Sequence, residues 1–234
     1  MEATRSSLAT LVRLLRQAHA QKEGPPTLLS DMDGDPLDVL ILTVLSQATN
    51  DRNAAVAYAR LRTRFPSWDQ VLDAPVEKLA AAIAPGGLGP QKAARIKEVL
   101  RLVAERGTLG LGWLKEQPPG RAMEFLNSLP GVGPKTAACV LLFGLGQPAF
   151  PVDTHVARLA RRLGLAGPNE PAERIQQRLE GLVEPGDARD LHITLIHHGR
   201  TVCHARRPAC GRCVLAGVCA SREESGGSVQ KSMP

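Results

Sequence analysis

Apolar residues recur at the spacing of one helix face along most of the chain. Residues 8–15 carry them three or four positions apart, which predicts an amphipathic N-terminal helix. Residues 36–48 are apolar on nearly all sides, which predicts a buried central helix. No stretch alternates like a strand, so the expected fold class is all-α. Further helices are predicted over residues 50–65, 75–83, 91–106, 122–128, 134–145, 154–163, 171–183 and 187–201.

The composition is consistent with helices packed around an aliphatic core. Hydrophobic residues make up 43% of the 234 residues, yet only two Trp, one Tyr and four Phe are aromatic. A core of Leu, Val, Ile and Ala suits packed helices better than a β-sandwich. Lys and Arg number 29 against 23 Asp and Glu. This basic excess suggests a polyanionic partner, although it is equally compatible with simple solubility.

The chain shows no sequence signal for a membrane. It has no run of about 18 apolar residues, so no membrane span is expected. Residues 1–7 lack the long apolar core of a secretion signal. The expected location is therefore the reducing cytoplasm, where structural disulfides are rare.

Residues 129–133, Leu-Pro-Gly-Val-Gly, predict a tight turn between two helical segments. Its glycines can take the positive φ that other residues resist, and Pro134 fits the first position of the following helix. Such a turn presents backbone N–H groups at a helix N-terminus, which can bind a phosphate without regard to base sequence. Lys135 lies in the first turn of that helix, and Asp153 follows 18 residues later at another helix start.

Four cysteines near the C-terminus are spaced Cys203-x6-Cys210-x2-Cys213-x5-Cys219. The segment is too short to form its own core, so four thiolates need a central ion or cluster. Zinc sites often use two Cys-x2-Cys pairs, whereas one is present here, and bacterial ferredoxins use shorter spacings throughout. On the residues alone, an iron–sulfur cluster, zinc and disulfides stay open. Cys139 stands apart and is expected to be a small buried hydrophobic residue.

Three motifs together resemble those of the endonuclease III family of DNA glycosylases. The turn followed by Lys135 resembles the family's helix-hairpin-helix, residues 152–155 resemble its Val-Asp-Thr-His motif, and the cysteine spacing resembles its cluster loop. The resemblance covers roughly residues 38–220. It implies two helical lobes with a DNA-binding cleft between them. It also implies a [4Fe–4S] cluster held by Cys203, Cys210, Cys213 and Cys219.

The resemblance divides the chain into domains. Residues 37–147 would form a continuous helical domain that contains the helix-hairpin-helix. Residues 1–36 and 148–220 would together form a helical domain that holds the cluster. Residues 221–234 are polar and include two adjacent glycines, so they predict a disordered tail.

The resemblance also assigns roles to individual residues. Lys135 would be the nucleophile; the alternative role for this lysine is phosphate binding. Asp153 would be a catalytic carboxylate; the alternative role for this aspartate is a helix N-cap. Gln47 would fill the gap left by an extruded nucleotide, unless it is an ordinary polar residue at a helix end. Leu88 would be wedged into the base stack. The other expected DNA contacts are Leu129, Gly131, Val132, Gly133, Thr136 and His155, and packing is an equal alternative for His155.

These roles predict a bifunctional DNA glycosylase and abasic-site lyase that excises damaged pyrimidines from duplex DNA. A lysine amine that attacks C1′ forms an imine, and the imine acidifies the C2′ proton so that the 3′ phosphate leaves by β-elimination. One alternative is an adenine-specific glycosylase of the same superfamily, which would carry Glu at about the position of Thr43. Another is a DNA-binding protein with weak or no catalysis, since Gly89 and Pro90 depart from the family's pattern. We expect a cytoplasmic monomer, associated with the nucleoid if bacterial.

Overall fold

The computed structural model describes residues 5–19, 28 and 34–222. Every regular element of this part of the chain is helical, which confirms the predicted all-α class. Short 3₁₀ turns lie at Ala84–Gly86, Gly112–Glu116 and Cys210–Arg212, and a π-helical segment spans Val140–Leu145. The α-helices are α1 (Arg5–His19), α2 (Pro36–Ser46), α3 (Asp51–Arg64), α4 (Trp68–Asp73), α5 (Val76–Ile83), α6 (Gly89–Ala104), α7 (Pro119–Ser128), α8 (Pro134–Cys139), α9 (Thr154–Arg162), α10 (Ala172–Leu182) and α11 (Pro185–Thr201).

The chain divides into two compact units. Pro26–Pro151, which we call the hairpin unit, contains α2 to α8. Met1–Pro25 and Val152–Pro234, which we call the cysteine unit, contain α1 and α9 to α11. The predicted continuous domain covers residues 37–147. It lies within the hairpin unit and is shorter than that unit at both ends. The DNA-binding cleft stays a prediction.

Helix α2 is the buried centre of the hairpin unit, as its apolar pattern predicts. Most of its side chains are buried, and it packs against α3, α8 and the π-helical segment. Asp35 caps its N-terminus by accepting a hydrogen bond of 2.8 Å from the Leu37 N–H. The helix ends at Ser46, two residues before the predicted end, and Ala48 then takes φ +53° in the turn that follows.

Residues 134–145 were predicted as one α-helix, but α8 continues as the π-helical segment Val140–Leu145. Every side chain of this segment is buried. A Cβ at Gly144 would lie 2.7 Å from the Pro36 Cα, so only glycine allows the segment to approach α2 this closely. Because the segment is apolar on all sides, its hydrophobic pattern carries no sign of the wider turn.

Helix boundaries differ from the predictions mainly at proline. Helix α6 begins at Gly89 rather than at residue 91, with Pro90 in its first turn, where the missing N–H is not needed. Helix α7 begins at Pro119 rather than at residue 122. Helix α4 was not predicted; Ser67 and Gln70 close its N-terminus in a capping box.

The cysteine unit is organised by α11, which packs against α1 and α9. Arg16 of α1 pairs with Asp187 and Asp190 of α11, each at 3.0 Å. The predicted disordered tail starts too early, because the Ser221 N–H donates to the Arg162 carbonyl at 3.0 Å. Residues 223–234 lie outside the described residues. No helix of the described residues is both long enough and apolar enough to cross a membrane.

Candidate active site

The predicted hairpin turn joins α7 to α8 in the hairpin unit. The Val132 N–H donates to the Leu129 carbonyl at 3.1 Å. Pro130 and Gly131 therefore occupy the two middle positions of a β-turn, and φ of +72° at Gly131 is the value that a type II turn requires there. Leu129 and Val132, both predicted DNA contacts, are only 3% and 5% exposed. Their side chains anchor the turn, so only their backbone is available to a ligand.

The two hairpin glycines have different reasons to be glycine. Gly131 needs its positive φ, as the sequence predicts, and a Cβ there would also overlap the Arg95 side chain. Gly133 does not have the predicted positive φ: its φ is −97° and ψ 177°, extended backbone that any residue adopts. A Cβ at Gly133 would meet no atom of the described residues within 4 Å, its chain neighbours aside. The protein itself therefore gives no reason for glycine at 133, whereas a ligand that approaches the backbone closely would.

The N-terminus of α8 lacks a side-chain cap. Gly133 is the N-cap residue and has no side chain to bond the first N–H groups, and Pro134 has no N–H. The amides of Lys135 and Thr136 are thus available to an anion at the positive end of the helix. The Thr136 side chain is buried, so its predicted contact with DNA is also limited to the backbone.

The two predicted catalytic residues lie in different units. Lys135 is half-buried in the first turn of α8, and its side chain makes no hydrogen bond or ion pair with the described residues of the hairpin unit. Asp153 is half-buried at the start of α9, where its Oδ1 accepts a hydrogen bond of 2.8 Å from the Val156 N–H. The N-cap alternative for Asp153 is therefore real. Its Oδ2 remains without a partner among the described residues of the cysteine unit, so capping leaves one oxygen for chemistry.

His155 is half-buried against α11, and the structure favours the packing alternative. Its Cβ lies so close to Gly199 that a Cβ there would be only 3.0 Å away. Its Nδ1 lies 3.1 Å from Nη2 of Arg158, which also donates to the Gly199 and Cys203 carbonyls. Burial lowers the pKa of His155, and the nearby Arg158 lowers it further. A neutral imidazole that accepts from Arg158 fits this environment.

Gln47 and Leu88 are the two residues predicted to enter the duplex. Gln47 directly follows α2, and Leu88 directly precedes α6. Nε2 of Gln47 donates to the Gly131 carbonyl at 3.1 Å, and its Oε1 accepts from Nη1 of Arg95 at 2.9 Å. Leu88 is 52% exposed and has φ +52°, a left-handed conformation that is costly for a branched side chain. An exposed leucine on a strained turn marks a place where backbone geometry serves something other than the core.

Lys92 is a contributor to this region that sequence reasoning missed. It is 2% exposed, and its ammonium donates to the Leu45 carbonyl at 2.7 Å and the Gly86 carbonyl at 2.8 Å. It therefore ties the end of α2, which leads to Gln47, to the turn that carries Leu88. A lysine in an amphipathic helix gives no sequence signal of this role, because charged residues on such helices usually face solvent.

The four predicted ligand cysteines line one cavity of about 40 Å³ in the cysteine unit, and no disulfide joins them. Among the described residues, no three His, Cys, Asp or Glu side chains are grouped as ligands of a single metal ion. Burial raises the pKa of the Cys213 thiol, and the other three cysteines raise it further. Four crowded thiolates need a positively charged group among them, so the donor set fits an iron–sulfur cluster.

Two basic side chains lie against the cysteine sulfurs. Nη1 of Arg162 donates to Sγ of Cys203 at 3.1 Å, and Nε2 of His198 lies 3.4 Å from Sγ of Cys213. Arg162 also donates to the carbonyls of His204 and Ala205. The guanidinium thus holds the first turn of the loop and one ligand sulfur at once. Apart from the basic character of α9, no sequence pattern predicts this role.

Comparison with known families gives two matches that coincide with these two regions. Residues 41–185, which include the hairpin and Asp153, match the HhH-GPD superfamily of base excision DNA repair proteins. Residues 203–219, which begin and end at ligand cysteines, match the iron–sulfur binding domain of endonuclease III. The first match covers more than half of the chain.

The chain belongs to the HhH-GPD superfamily.

Individual relatives agree with this assignment. A putative DNA glycosylase of Arabidopsis thaliana is 37% identical over 77% of this chain, which spans 62% of that protein. Endonuclease III of Sulfolobus acidocaldarius is 30% identical over 85% of this chain and 88% of its own length. Among solved structures, a trapped covalent intermediate of endonuclease III with DNA superposes with a TM-score of 0.79 at 25% identity, over 95% of this chain and 99% of that one.

Membership in the HhH-GPD superfamily confirms several predictions. The chain is a protein of the endonuclease III-like DNA glycosylase family with the expected helical fold. The cysteine loop is an iron–sulfur site, as predicted, and a [4Fe–4S] cluster uses four thiolate ligands of this kind. The roles of individual residues stay predictions.

Proposed function

We propose that this protein is a bifunctional DNA glycosylase and abasic-site lyase that removes oxidised or otherwise damaged pyrimidines from duplex DNA. The observation that carries the proposal is Lys135, a half-buried amine in the first turn after the hairpin. Its side chain makes no hydrogen bond to the described residues of its unit. A structural lysine is normally held by carboxylates or carbonyls, as Lys92 is. The protein acts as a monomer in the cytoplasm, at the nucleoid if it is bacterial.

In the proposed reaction, the unprotonated Lys135 amine attacks C1′ of the damaged nucleotide. A bond from Nζ to C1′ forms as the glycosidic bond to the base breaks, and the base leaves with a proton. The sugar ring then opens to give an imine between Nζ and C1′. Removal of the C2′ proton expels the 3′ phosphate by β-elimination. Water hydrolyses the imine and returns the free lysine.

Asp153 supplies the negative charge that this reaction needs. As the base departs, C1′ becomes electron-poor, and a carboxylate nearby stabilises that charge or assists proton removal. Its Oδ1 holds the start of α9, so the carboxylate is fixed in orientation while its Oδ2 stays available. The same side chain can therefore serve as N-cap and as catalytic group.

The hairpin supplies DNA binding without base specificity. The open space at Gly133 and the uncapped N-terminus of α8 favour a phosphate of the DNA backbone. A repair enzyme must bind damage in any sequence context, so backbone contacts suit it better than base contacts. Leu88 then occupies the space vacated by an extruded nucleotide, which lowers the cost of unstacking.

The four ligand cysteines would hold the iron–sulfur cluster, which supplies a structural cross-link of the loop. The Arg162 guanidinium would neutralise part of the thiolate charge around it. The loop carries exposed arginines at 206, 207 and 212, and a rigid basic loop suits contact with phosphates.

The adenine-specific alternative receives no support from the central helix. Thr43 is 2% exposed, and its hydroxyl donates to the Val39 carbonyl at 2.7 Å within α2. It is thus a buried, backbone-bonded hydroxyl that cannot act as a carboxylic acid would.

Borohydride trapping tests the proposal, because it reduces the imine to a stable covalent adduct. Duplexes carrying an abasic site or an oxidised pyrimidine are incubated with wild type, Lys135→Ala, Asp153→Ala and Lys115→Ala. The Lys115→Ala control removes an exposed lysine of the same unit. We expect adducts on both substrates with wild type and Lys115→Ala, none with Lys135→Ala, and a large loss with Asp153→Ala. Equal trapping by Lys135→Ala would overturn the proposed nucleophile, and tight binding without any wild-type adduct would favour the non-catalytic alternative.

A further inference from the structure

Arg95 of α6 stands at the centre of a polar network inside the hairpin unit. Its Nη1 donates to Oε1 of Gln47 at 2.9 Å, and Nε2 of Gln47 donates to the Gly131 carbonyl at 3.1 Å. The Arg95 side chain also lies directly over Gly131, where a Cβ would overlap it. Three segments meet here: the end of α2, helix α6 and the hairpin turn.

Among the described residues of the hairpin unit, the charge of Arg95 has no counter-ion. Its single hydrogen bond to a described residue is the one to Gln47, so Nε and Nη2 keep their donors available. Another cation lies nearby, since burial and then Arg95 lower the pKa of Lys92. Arg101 of the same helix is different, because Glu98 and Glu105 both pair with it.

An arginine in this position is half-buried and only partly satisfied. A guanidinium that is partly removed from water gains most from an anion that uses its remaining donors. The backbone beside it already offers amides to an anion at the start of α8. The planar fork of a guanidinium matches two oxygens of a phosphate, which a lysine would match less well.

We propose that Arg95 is a further DNA-binding residue of this chain, which contacts a backbone phosphate beside the hairpin and orients Gln47 through its amide oxygen. The assignment rests on the proposed function, because it takes duplex DNA as the ligand. It adds a side-chain cation to a surface that otherwise binds phosphate through backbone amides. The hydrogen bond from Arg95 also fixes which end of the Gln47 amide faces the hairpin carbonyl. It thereby sets the orientation in which Gln47 meets the duplex.

The salt dependence of DNA binding tests the phosphate contact directly. Each neutralised phosphate adds about one unit to the slope of log K against log salt concentration. We expect Arg95→Gln to lower this slope by about one for a duplex carrying a stable abasic-site analogue. Between about 50 and 200 mM salt, the affinity of this variant should therefore fall about threefold less than that of wild type. Arg101→Gln is the matched control and should keep the wild-type slope.

Two further variants separate a phosphate contact from packing. Arg95→Lys keeps the charge and should keep the slope, although it should lose the coupling to Gln47. In a double-mutant cycle on abasic DNA, Arg95→Gln and Gln47→Ala should then be non-additive, whereas Arg101→Gln and Gln47→Ala should be additive. A purely structural role for Arg95 would reduce affinity without a change in salt slope.

An unchanged slope in Arg95→Gln, with the variant folded, would overturn the inference. If wild type traps abasic DNA while that slope is unchanged, only the role of Arg95 fails. If wild type neither traps nor prefers abasic DNA, the proposed function fails first.

Discussion

The hairpin and the cysteine loop are both short segments without a core of their own, yet they are held in different ways. In the hairpin, Leu129 and Val132 are buried and a backbone hydrogen bond closes the turn. In the loop, residues 203–219, all of which the structure describes, bury one side chain, Leu215. Short backbone turns also hold the loop, as from the Cys213 N–H to the Cys210 carbonyl. Arginines add further hydrogen bonds, from Arg162 to Sγ of Cys203 and from Arg212 to the Thr201 carbonyl.

The hairpin is therefore a site that the protein chain forms by itself, whereas the cysteine loop needs a bound group to hold its shape. The hairpin is shaped by burial and backbone geometry, so it presents its amides before any ligand arrives. The loop gathers four cysteine sulfurs around one cavity, and ligand thiolates this close together need a bound cationic group among them. Loss of the cluster should therefore disorder the loop, whereas loss of DNA should leave the hairpin unchanged.

Removal of one cluster ligand should have the largest effect. Cys210→Ser lacks a thiolate that the cluster needs, so we expect loss of iron, loss of visible iron–sulfur absorption and destabilisation of the cysteine unit by several kcal/mol. Iron content, absorption and thermal unfolding measure this. The matched control is Cys139→Ser, a fully buried cysteine of the hairpin unit. It should lose stability but keep its iron, and iron loss in both variants would contradict a site confined to the loop.

The two hairpin glycines should respond in opposite ways to substitution by alanine. Gly131→Ala forces alanine into φ +72° and against Arg95, which should cost about 1–2 kcal/mol or more and lower the melting temperature. In Gly133→Ala the new Cβ lies in open space among the described residues, so its stability should change by less than about 0.5 kcal/mol. Its affinity for duplex DNA should nevertheless fall by about tenfold, because one phosphate contact is obstructed. Wild-type DNA affinity in Gly133→Ala would argue against a phosphate at this turn.

Leu88 has a strained backbone conformation but an exposed side chain, so its substitution tests the strain separately from core packing. Leu88→Gly relieves the left-handed conformation, so its stability should equal or exceed that of wild type by up to about 1 kcal/mol. Excision of a damaged base from duplex DNA should still slow by roughly tenfold, since no side chain fills the vacated space. Cleavage of an abasic site should slow less, because no base has to be extruded. A variant that is more stable and equally fast on both substrates would remove Leu88 from the mechanism.

His155 should produce the smallest effect, visible as a pH dependence. Its pKa is lowered in the folded state below the ordinary 6.5, so the unfolded chain takes up the proton first. The stability that this group contributes is present above about pH 6.5 and is lost as the pH falls through the folded pKa, by at most about 1.4 kcal/mol per pH unit. Melting temperatures of wild type and His155→Gln at about pH 7.5 and 5.5 measure the difference. Parallel curves for the two proteins would exclude His155 as the source.

Sequence reasoning was most reliable where a local pattern fixes the structure. The Leu-Pro-Gly-Val-Gly turn, the buried α2 and the cysteine spacing each rest on residues close together in the chain. Prediction from sequence failed where a residue's environment depends on contacts with residues far away in the chain. Lys92 is buried because two carbonyls, 47 and 6 residues away, receive its ammonium. Gly144 is glycine because α2 lies against it.

The candidate site shows the same limit. The apolar pattern predicts Gln47 at the end of α2, but the hydrogen bonds of Gln47 to Arg95 and Gly131 depend on how α6 and the hairpin pack. The π-helical segment left no trace in a run that is apolar on every face. Both hairpin glycines are expected to allow a positive φ, but Gly131 has one and Gly133 does not.

Identification of the residue that carries the sugar tests the central claim most directly. The borohydride-reduced adduct with abasic DNA is digested, and the modified peptide is sequenced by mass spectrometry. The account predicts a single modified site, Lys135, in wild type and in Lys115→Ala. Modification of another lysine or of the N-terminal amine, with Lys135 intact, would contradict it.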